Sequence, residues 1–143
     1  MKIKNIRLLL IEDDPGDSRL VREALSETGT VRFDLVRAAD LAEGLAILAA
    51  QPADAILLDL NLPGVDGRHV LTAIKTDPDL HTIPVIILTT SSATSDIELA
   101  YREHANCYLV KPLGFTALAD TIEVISAFWL DTVTLPPTWE DSR

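Results

Sequence analysis

Several features that other protein classes require are scarce or missing in this sequence. The single cysteine among 143 residues, Cys107, excludes an internal disulfide and is consistent with a reducing compartment. No apolar run approaches the ~20 residues of a membrane-spanning helix. The basic N-terminus lacks the apolar segment and cleavage site of a signal peptide. We therefore expect a cytoplasmic protein.

Positive charge is scarce too. There are 12 Lys and Arg residues against 22 Asp and Glu, so the formal net charge is −10. Nucleic acids and anionic membranes bind clustered Lys and Arg, and we expect neither as a direct partner. A Gly-rich phosphate-binding loop is also missing after the first predicted strand, which disfavours a flavin or nucleotide carrier.

What the sequence does have is hydrophobic residues, 48% of the chain, in short runs that alternate with helical patterns. Five runs predict strands: Ile6 to Ile11, Phe33 to Val36, Ala55 to Leu58, Pro84 to Leu88 and Cys107 to Val110. Four helices are predicted between these strands: from Asp14-Pro15 to a stop at Gly29, from Asp40 to about Ala50, around Val70 to Ile74, and from Ser95 to about Glu103. A fifth helix is predicted after the last strand, where Phe115, Leu118, Ile122, Ile125 and Trp129 form one helical face. Capping residues are expected at Asp14 before Pro15, at Asp40 with Glu43, and at Ser95 with Glu98. The alternation predicts one α/β domain, a doubly wound, five-stranded parallel sheet with helices on both faces.

The stretch from Ile56 to Gly67 is central to the function. A buried strand ends on Asp59, and Pro63-Gly64 marks a loop shortly after it. A carboxylate in that place is either a helix cap or turn residue, or a functional group paired with a cation. Burying a lone carboxylate is costly, so such groups are usually paired or metal-bound.

Other predicted strands also end on polar residues. Glu12 and Asp13, Asp59, Thr89 and Lys111 follow four separate strands, and ligands of open parallel sheets bind beyond the carboxyl ends of the strands. Three neighbouring acids repel one another unless a cation neutralises them, and oxygen ligands favour Mg²⁺. Lys111 and Thr89 supply the charge and the hydroxyl that a transferred phosphoryl group needs, and Asp59 is the candidate nucleophile.

Four segments resemble the motifs of receiver domains in two-component response regulators. They are Ile11-Glu12-Asp13-Asp14, Leu58-Asp59-Leu60, Leu88-Thr89 and Val110-Lys111-Pro112. The resemblance covers roughly residues 6–128. It implies the flavodoxin-like strand order 2-1-3-4-5.

For the acidic positions, the resemblance implies that Asp59 accepts a phosphoryl group from a histidine kinase. It further implies a Mg²⁺ site formed by Glu12, Asp13, Asp59 and the backbone carbonyl of Asn61. Asp13 would bind the ion directly and Glu12 through water.

For the remaining motif positions, the resemblance implies that Thr89 and Lys111 contact the phosphoryl oxygens. Thr89 and Tyr108 would shift together on phosphorylation. The residue after the switch hydroxyl is often small in this family, and Thr90 is bulkier. The Lys111-Pro112 bond is often cis in receivers, so a cis bond is expected from the family alone.

A narrower resemblance lies at the C-terminal end. Asn106-Cys107-Tyr108-Leu109 and the segment 128–136 are similar to the small response regulators paired with bacterial and cyanobacterial phytochromes, which form homodimers. We expect a receiver domain at residues 1–130 and a tail at 131–143 that contacts a dimer partner or another protein. Apolar residues beyond the core face support this interface: Val124, Ala127, Phe128, Leu130, Val133, Leu135 and Trp139. The alternative is a tail folded onto its own domain.

Two functions follow. The favoured one is a single-domain response regulator that is the partner of a phytochrome. We expect it to signal through protein contacts and not to be an enzyme beyond its own phosphoryl uptake and loss. The alternative is a metal-dependent phosphohydrolase with an aspartyl-phosphate intermediate. Such enzymes usually carry a second Asp two positions after the nucleophile, where this chain has Asn61.

Overall fold

The computed structural model describes residues 4–25, 31–62 and 67–137. The strands are β1 (Lys4–Ile11), β2 (Val31–Ala38), β3 (Ala55–Leu58), β4 (Val85–Thr89) and β5 (Cys107–Val110). The helices are α1 (Pro15–Ala24), α2 (Leu41–Ala50), α3 (Gly67–Thr76), α4 (Thr94–Arg102) and α5 (Phe115–Ile125), followed by a π-helical segment, Ser126–Thr132, called the π segment below. The predicted stop at Gly29, the Pro63-Gly64 loop and Trp139 lie outside the described residues.

The five strands form one parallel sheet in the order β2-β1-β3-β4-β5, which confirms the predicted α/β fold. Strand order reverses between β1 and β3, and a site is expected beyond the carboxyl ends of these two strands. β2 is longer than the predicted Phe33 to Val36 because it pairs with β1 over eight residues. Among the described residues, no helix combines the length and hydrophobicity that a bilayer crossing requires.

Each face of the sheet is covered by helices. Helices α1 and α5 pack on one face, where Val21, Leu118 and Ile122 are buried against β1, β3 and β4. Helices α2, α3 and α4 cover the other face with Leu48, Val70, Leu71, Ile74 and Ala100. Both faces of β3 and β4 are therefore inaccessible to solvent, which explains why these strands are uninterrupted apolar runs.

Two of the three predicted helix caps are confirmed. The Asp14 carboxylate accepts hydrogen bonds from the amides of Gly16 (2.8 Å) and Asp17 (3.4 Å). The Asp40 carboxylate accepts one from the Glu43 amide at 2.9 Å.

The third predicted cap, Ser95, is wrong. Helix α4 begins at Thr94, and Ala93 occupies the cap position without a side-chain hydrogen bond. Because the Ala93 carbonyl already accepts the amides of Asp96 and Ile97, Ser95 lies inside the first turn and cannot cap the helix.

The end of the last helix also differs from the α-helical prediction. Phe115, predicted on the same helical face as Leu118 and Ile122, is 75% exposed, whereas Leu130, expected in the interface, is 0% exposed. In the π segment hydrogen bonds span five residues instead of four, as from the Val133 amide to the Phe128 carbonyl (2.8 Å). Leu130 thus follows Ile125 by one π turn and packs on the same side of the domain.

The described part of the tail lies on its own domain. Leu135 packs against the core beneath α1 and α5. Pro136 and Pro137 line a cavity of about 370 Å³ together with the end of α2 and the segment before β4. This arrangement agrees with the alternative of a folded-back tail for the described residues around Leu135, and it leaves Leu130 fully buried and Leu135 partly buried.

Candidate functional site

The parallel register brings the ends of four strands to one edge of the sheet. Ile11 at the end of β1 pairs with Leu58 at the end of β3, and Thr89 of β4 pairs with Val110 of β5. The residues that follow these pairs, Glu12, Asp59 and Lys111, are therefore neighbours in space although they are far apart in sequence.

Three acids meet at this edge. Carboxylate oxygens of Glu12, Asp13 and Asp59 all lie within 4.8 Å of one another. Glu12 and Asp59 are buried, and Asp13 is half-buried. One Glu12 oxygen, Oε2, is buried without a hydrogen-bond partner among the described residues. The predicted acidic cluster is thus present, and it contains an oxygen that no described protein group satisfies.

The Lys111 ammonium lies among these acids. It donates hydrogen bonds to the carboxylates of Glu12, of Asp17 (2.9 Å) and of Asp59 (3.0 Å). Its side chain is only 5% exposed. Since burying a cation is costly without partners, the three carboxylates explain how Lys111 remains charged here.

Burial and mutual contact shift the ionisation of these groups. Burial, with Asp59 nearby, raises the pKa of Glu12 to about 8. Burial acts in the same direction on Asp59, but hydrogen bonds from Glu12, from the Asn61 amide and from Lys111 outweigh it and lower the pKa of Asp59. Burial alone would lower the pKa of Lys111, but its carboxylate partners raise it. The pKa of Glu12 is thus held above its usual value, and the pKa of Asp59 is held below it.

Asn61 connects the Asp59 loop to the end of β4. Its amide N–H donates to Asp59 Oδ1 at 2.9 Å, and its side-chain Nδ2 donates to Thr89 Oγ1 (3.2 Å) and Thr90 Oγ1 (2.9 Å). Thr89 is fully buried, and Thr90 is exposed. Asn61 offers amide donors where the phosphohydrolase alternative needs a carboxylic acid, and that alternative is not favoured.

Among the described contacts, Tyr108 makes its side-chain hydrogen bond to the β4–α4 segment and none to the carboxylates. Its hydroxyl donates to the Ser91 carbonyl at 2.9 Å, two residues beyond Thr89. Burial raises the pKa of Tyr108. The path from Tyr108 to the acidic cluster therefore runs through the β4–α4 segment.

Sequence reasoning missed two contributors to this site. Asp17, an acidic residue in the first turn of α1, also pairs with Lys111. Arg37, at the end of β2, donates from Nε to the Glu12 carbonyl (2.9 Å) and from Nη2 to the Asp13 carbonyl (2.8 Å). Asp17 is 94 residues from Lys111 and Arg37 is 24 from Asp13, so no local pattern signals either contact.

One family-based expectation is wrong. The described residues contain no cis peptide bond, so the Lys111-Pro112 bond is trans. The expectation came from the resemblance and not from any feature of this sequence.

Comparison with known proteins identifies this arrangement. A family model described as the response regulator receiver domain matches residues 8–123. The chain belongs to the response regulator receiver domain family. Members of this family are signalling switches, and the receiver fold is the flavodoxin-like arrangement seen here.

Relatives narrow the resemblance within the receiver family. The chain is 45% identical over 136 residues to response regulator Rcp1 of Synechocystis sp., covering 90% of this chain and 92% of that protein. The crystal structure of the Mn²⁺-bound form of Rcp1 superposes with a TM-score of 0.85 at 44% identity, covering 92% of this chain and 99% of that one. The crystal structure of the phosphorylated cyanobacterial phytochrome response regulator RcpA superposes with a TM-score of 0.88 at 41% identity, covering 93% of this chain and 99% of that one. These findings confirm the resemblance to phytochrome-associated receivers.

Proposed function

We propose that this receiver accepts a phosphoryl group on Asp59 and uses it to control protein contacts. The observation that carries the proposal is the convergence of Glu12, Asp13 and Asp59 within 4.8 Å, with the Lys111 ammonium on Asp59. Asp59 is ionised, stands at the tip of a rigid central strand and is oriented by the Asn61 amide. These are the properties of a positioned carboxylate nucleophile.

We propose Mg²⁺ as the cofactor, held by the carboxylates of Glu12, Asp13 and Asp59 and by the Asn61 backbone carbonyl. The all-oxygen donor set suits this ion, and the unpartnered Glu12 Oε2 marks a place where a water or ligand of the ion fits. Bound there, Mg²⁺ would offset the carboxylate charge and the charge of the incoming phosphoryl group. The Mn²⁺ in the Rcp1 structure supports a divalent ion in this family.

The protein groups divide the phosphoryl transfer among them. An oxygen of Asp59 forms the new bond to phosphorus as the bond between phosphorus and the donor breaks, and the donor leaves with that electron pair. Lys111 supplies positive charge to the phosphoryl oxygens. Thr89 Oγ1 accepts from Asn61, which leaves its own hydrogen for a phosphoryl oxygen. Tyr108 would respond through Ser91, as the Thr89 and Tyr108 switch requires.

We propose a histidine kinase as the phosphoryl donor, and a phytochrome as that kinase, working in the cytoplasm. RcpA is named as a cyanobacterial phytochrome response regulator, which supports this partner. A cavity of about 320 Å³ between α1 and the β5–α5 loop opens beside Lys111, where a donor side chain can approach. Residues 1–130 would form the receiver and residues 131–143 the tail.

We also propose a homodimer through the outer face of the last helix, with a contribution from the tail. Val124 and Phe128 are exposed there, at 63% and 54%. Exposed apolar groups on one helical face favour a protein partner. Leu130 is fully buried and Leu135 is partly buried against the core, so the proposed surface is centred on Val124 and Phe128 instead.

The test is stoichiometric phosphorylation by acetyl phosphate. With Mg²⁺, the wild type should gain one phosphoryl group by intact mass, and Asp59→Asn should gain none. Asp40→Asn is the matched control, because Asn also caps helices and Asp40 lies outside the site. Full labelling of Asp59→Asn would contradict the proposal. Sustained turnover of a simple phosphomonoester would instead support the phosphohydrolase.

The kinase assignment needs a separate experiment. Purified phytochrome kinase carrying labelled phosphohistidine should transfer label to the wild type within minutes and not to Asp59→Asn. Absence of transfer from the phytochrome, with rapid transfer from another histidine kinase, would overturn the phytochrome assignment alone.

A further inference from the structure

The hydrogen bonds of Lys111 account for every donor that its ammonium group has. A lysine ammonium carries three N–H donors, and Lys111 gives them to Glu12, Asp17 and Asp59. Phosphorylation removes the negative charge of the Asp59 carboxylate itself, so a phosphoryl oxygen on Asp59 competes for Lys111 with the two carboxylates that remain, those of Glu12 and Asp17.

Asp17 differs from the other two partners in both place and exposure. Its side chain is 32% exposed, whereas those of Glu12 and Asp59 are 2% and 9% exposed. Water can replace Lys111 at Asp17, while Glu12 would be left with a second unsatisfied oxygen. Asp17 also lies outside the cluster of three acids that could hold a cation.

We propose that Asp17 is a positioning residue that holds the Lys111 ammonium toward α1 and competes with the phosphoryl group for it. This inference rests on the proposed phosphorylation of Asp59. In the unphosphorylated state Asp17 shares the lysine with the two buried acids. In the phosphorylated state a phosphoryl oxygen takes the N–H that the Asp59 carboxylate accepted, and Asp17 still competes for the ammonium group.

This competition shortens the life of the phosphorylated state. In the hydrolysis step a water oxygen bonds to phosphorus, the bond between phosphorus and Asp59 breaks, and inorganic phosphate leaves. A lysine drawn toward Asp17 holds the phosphoryl oxygens less firmly. The Asp17 charge also repels the phosphoryl dianion. Neutralising Asp17 should therefore stabilise the phosphorylated protein.

The same competition affects the free acidic cluster. In the absence of the Asp17 charge, Lys111 is shared only by Glu12 and Asp59, and it competes more strongly with a divalent ion for these two carboxylates. Neutralising Asp17 should therefore weaken Mg²⁺ binding to the unphosphorylated protein, which is measurable without any phosphoryl transfer.

The test compares wild type with Asp17→Asn at saturating Mg²⁺ after labelling with acetyl phosphate and removal of the donor. The phosphoryl half-life of Asp17→Asn should be longer by at least about threefold, on the scale of a partly exposed ion pair. Calorimetric titration should show weaker Mg²⁺ binding. Asp17→Glu, which keeps the charge, should restore both values to within about twofold of wild type.

Asp14→Asn is the matched control, because it removes the same charge from the same helix start. Asp14 caps α1 and has no hydrogen bond to Lys111 among the described contacts, and Asn preserves a cap. It should leave both half-life and Mg²⁺ affinity near wild type. An unchanged or shorter half-life in Asp17→Asn, or equal effects in Asp14→Asn, would overturn the role of Asp17. Failure of the wild type to label at all would instead overturn the phosphorylation proposal.

Discussion

The carboxyl edge of the sheet and the outer face of the last helix are unfavourable surfaces of opposite kinds. At the sheet edge, Glu12, Asp59 and Lys111 are ionisable groups with almost no access to water. On the outer face of the last helix, Val124 and Phe128 are apolar groups with ample access to water. Each surface would be improved by a particular partner, a cation and phosphoryl group at the first and an apolar protein surface at the second. Buried ionisable groups and exposed apolar groups therefore both indicate where a protein binds a partner.

Among these predictions, removing Lys111 should have the largest effect on the free energy of unfolding. Lys111→Met leaves Glu12 and Asp59 without their buried cation, and breaking a buried ion pair on one side costs about 3–5 kcal/mol. We expect the fold to be retained with a loss of that size in the free energy of unfolding by urea. Mg²⁺ should restore part of the loss, since an ion that binds only the folded state stabilises it.

Lys75→Met is the control for that experiment. Lys75 is a half-buried lysine whose ammonium donates to the Ile83 carbonyl and Asn106 Oδ1, both at 2.9 Å, away from the acidic cluster. Its loss of stability should not depend on Mg²⁺. If Mg²⁺ restored both variants equally, the ion would not be replacing Lys111.

The second comparison separates buried from exposed positions in the π segment. Leu130→Ala should cost about 2–5 kcal/mol, as expected for a fully buried leucine, because the five-residue turn carries it into the core. Phe128→Ala, two positions earlier on the outer face, should change stability by only about 0.5 kcal/mol. Urea unfolding of both variants measures this difference, and similar costs at the two positions would argue for an α-helical register.

Placing a charge on the outer face should have a smaller effect. Val124→Lys should weaken self-association by at least about tenfold, equivalent to ~1.4 kcal/mol, as measured by analytical ultracentrifugation. Leu113→Lys makes the same kind of change at an exposed apolar residue in the β5–α5 loop and should not affect assembly. A dimer that is unchanged by Val124→Lys would place the interface elsewhere.

The last expected effect is the pH dependence that Glu12 confers on the metal-free protein. The pKa of Glu12 is about 8 in the folded protein and 4.5 unperturbed, so its contribution to stability is complete below pH 4.5 and is lost as the pH rises through 8. Glu12→Gln should flatten the unfolding free energy over that range. Glu98→Gln, on the exposed side of α4, should keep the wild-type profile, and a persistent slope in Glu12→Gln would assign the titration to another group.

Much of the fold followed from local patterns. The bounds of β3, β5 and α2 match the predictions, because apolar runs and a capping aspartate mark them unambiguously. The bounds of β2 were missed because pairing with β1 extends an edge strand beyond its apolar residues. The π segment was missed because a helical pattern in sequence carries no mark of where the hydrogen-bond ladder lengthens.

The functional site, like the fold, was predicted from the sequence only in part. Glu12, Asp59, Thr89 and Lys111 were predicted together because each follows a strand, and strand ends converge in a parallel sheet. Asp17 was not predicted as a site residue, since its contact with Lys111 depends on where α1 lies relative to the residue that follows β5. Contacts of this kind between distant residues leave no periodic pattern in the sequence from which they could be predicted.

The hydrogen bonds from Arg37 to the β1–α1 loop affect which divalent ion this loop suits. Its guanidinium engages the carbonyl oxygens of both Glu12 and Asp13, so this loop offers a cation mainly its carboxylate groups. Ca²⁺ seeks six to eight oxygen ligands, many of them carbonyls, whereas Mg²⁺ retains several waters and needs few protein ligands. For the proposed ion site, we therefore expect an arginine on an edge strand to favour the smaller, more tightly hydrated ion.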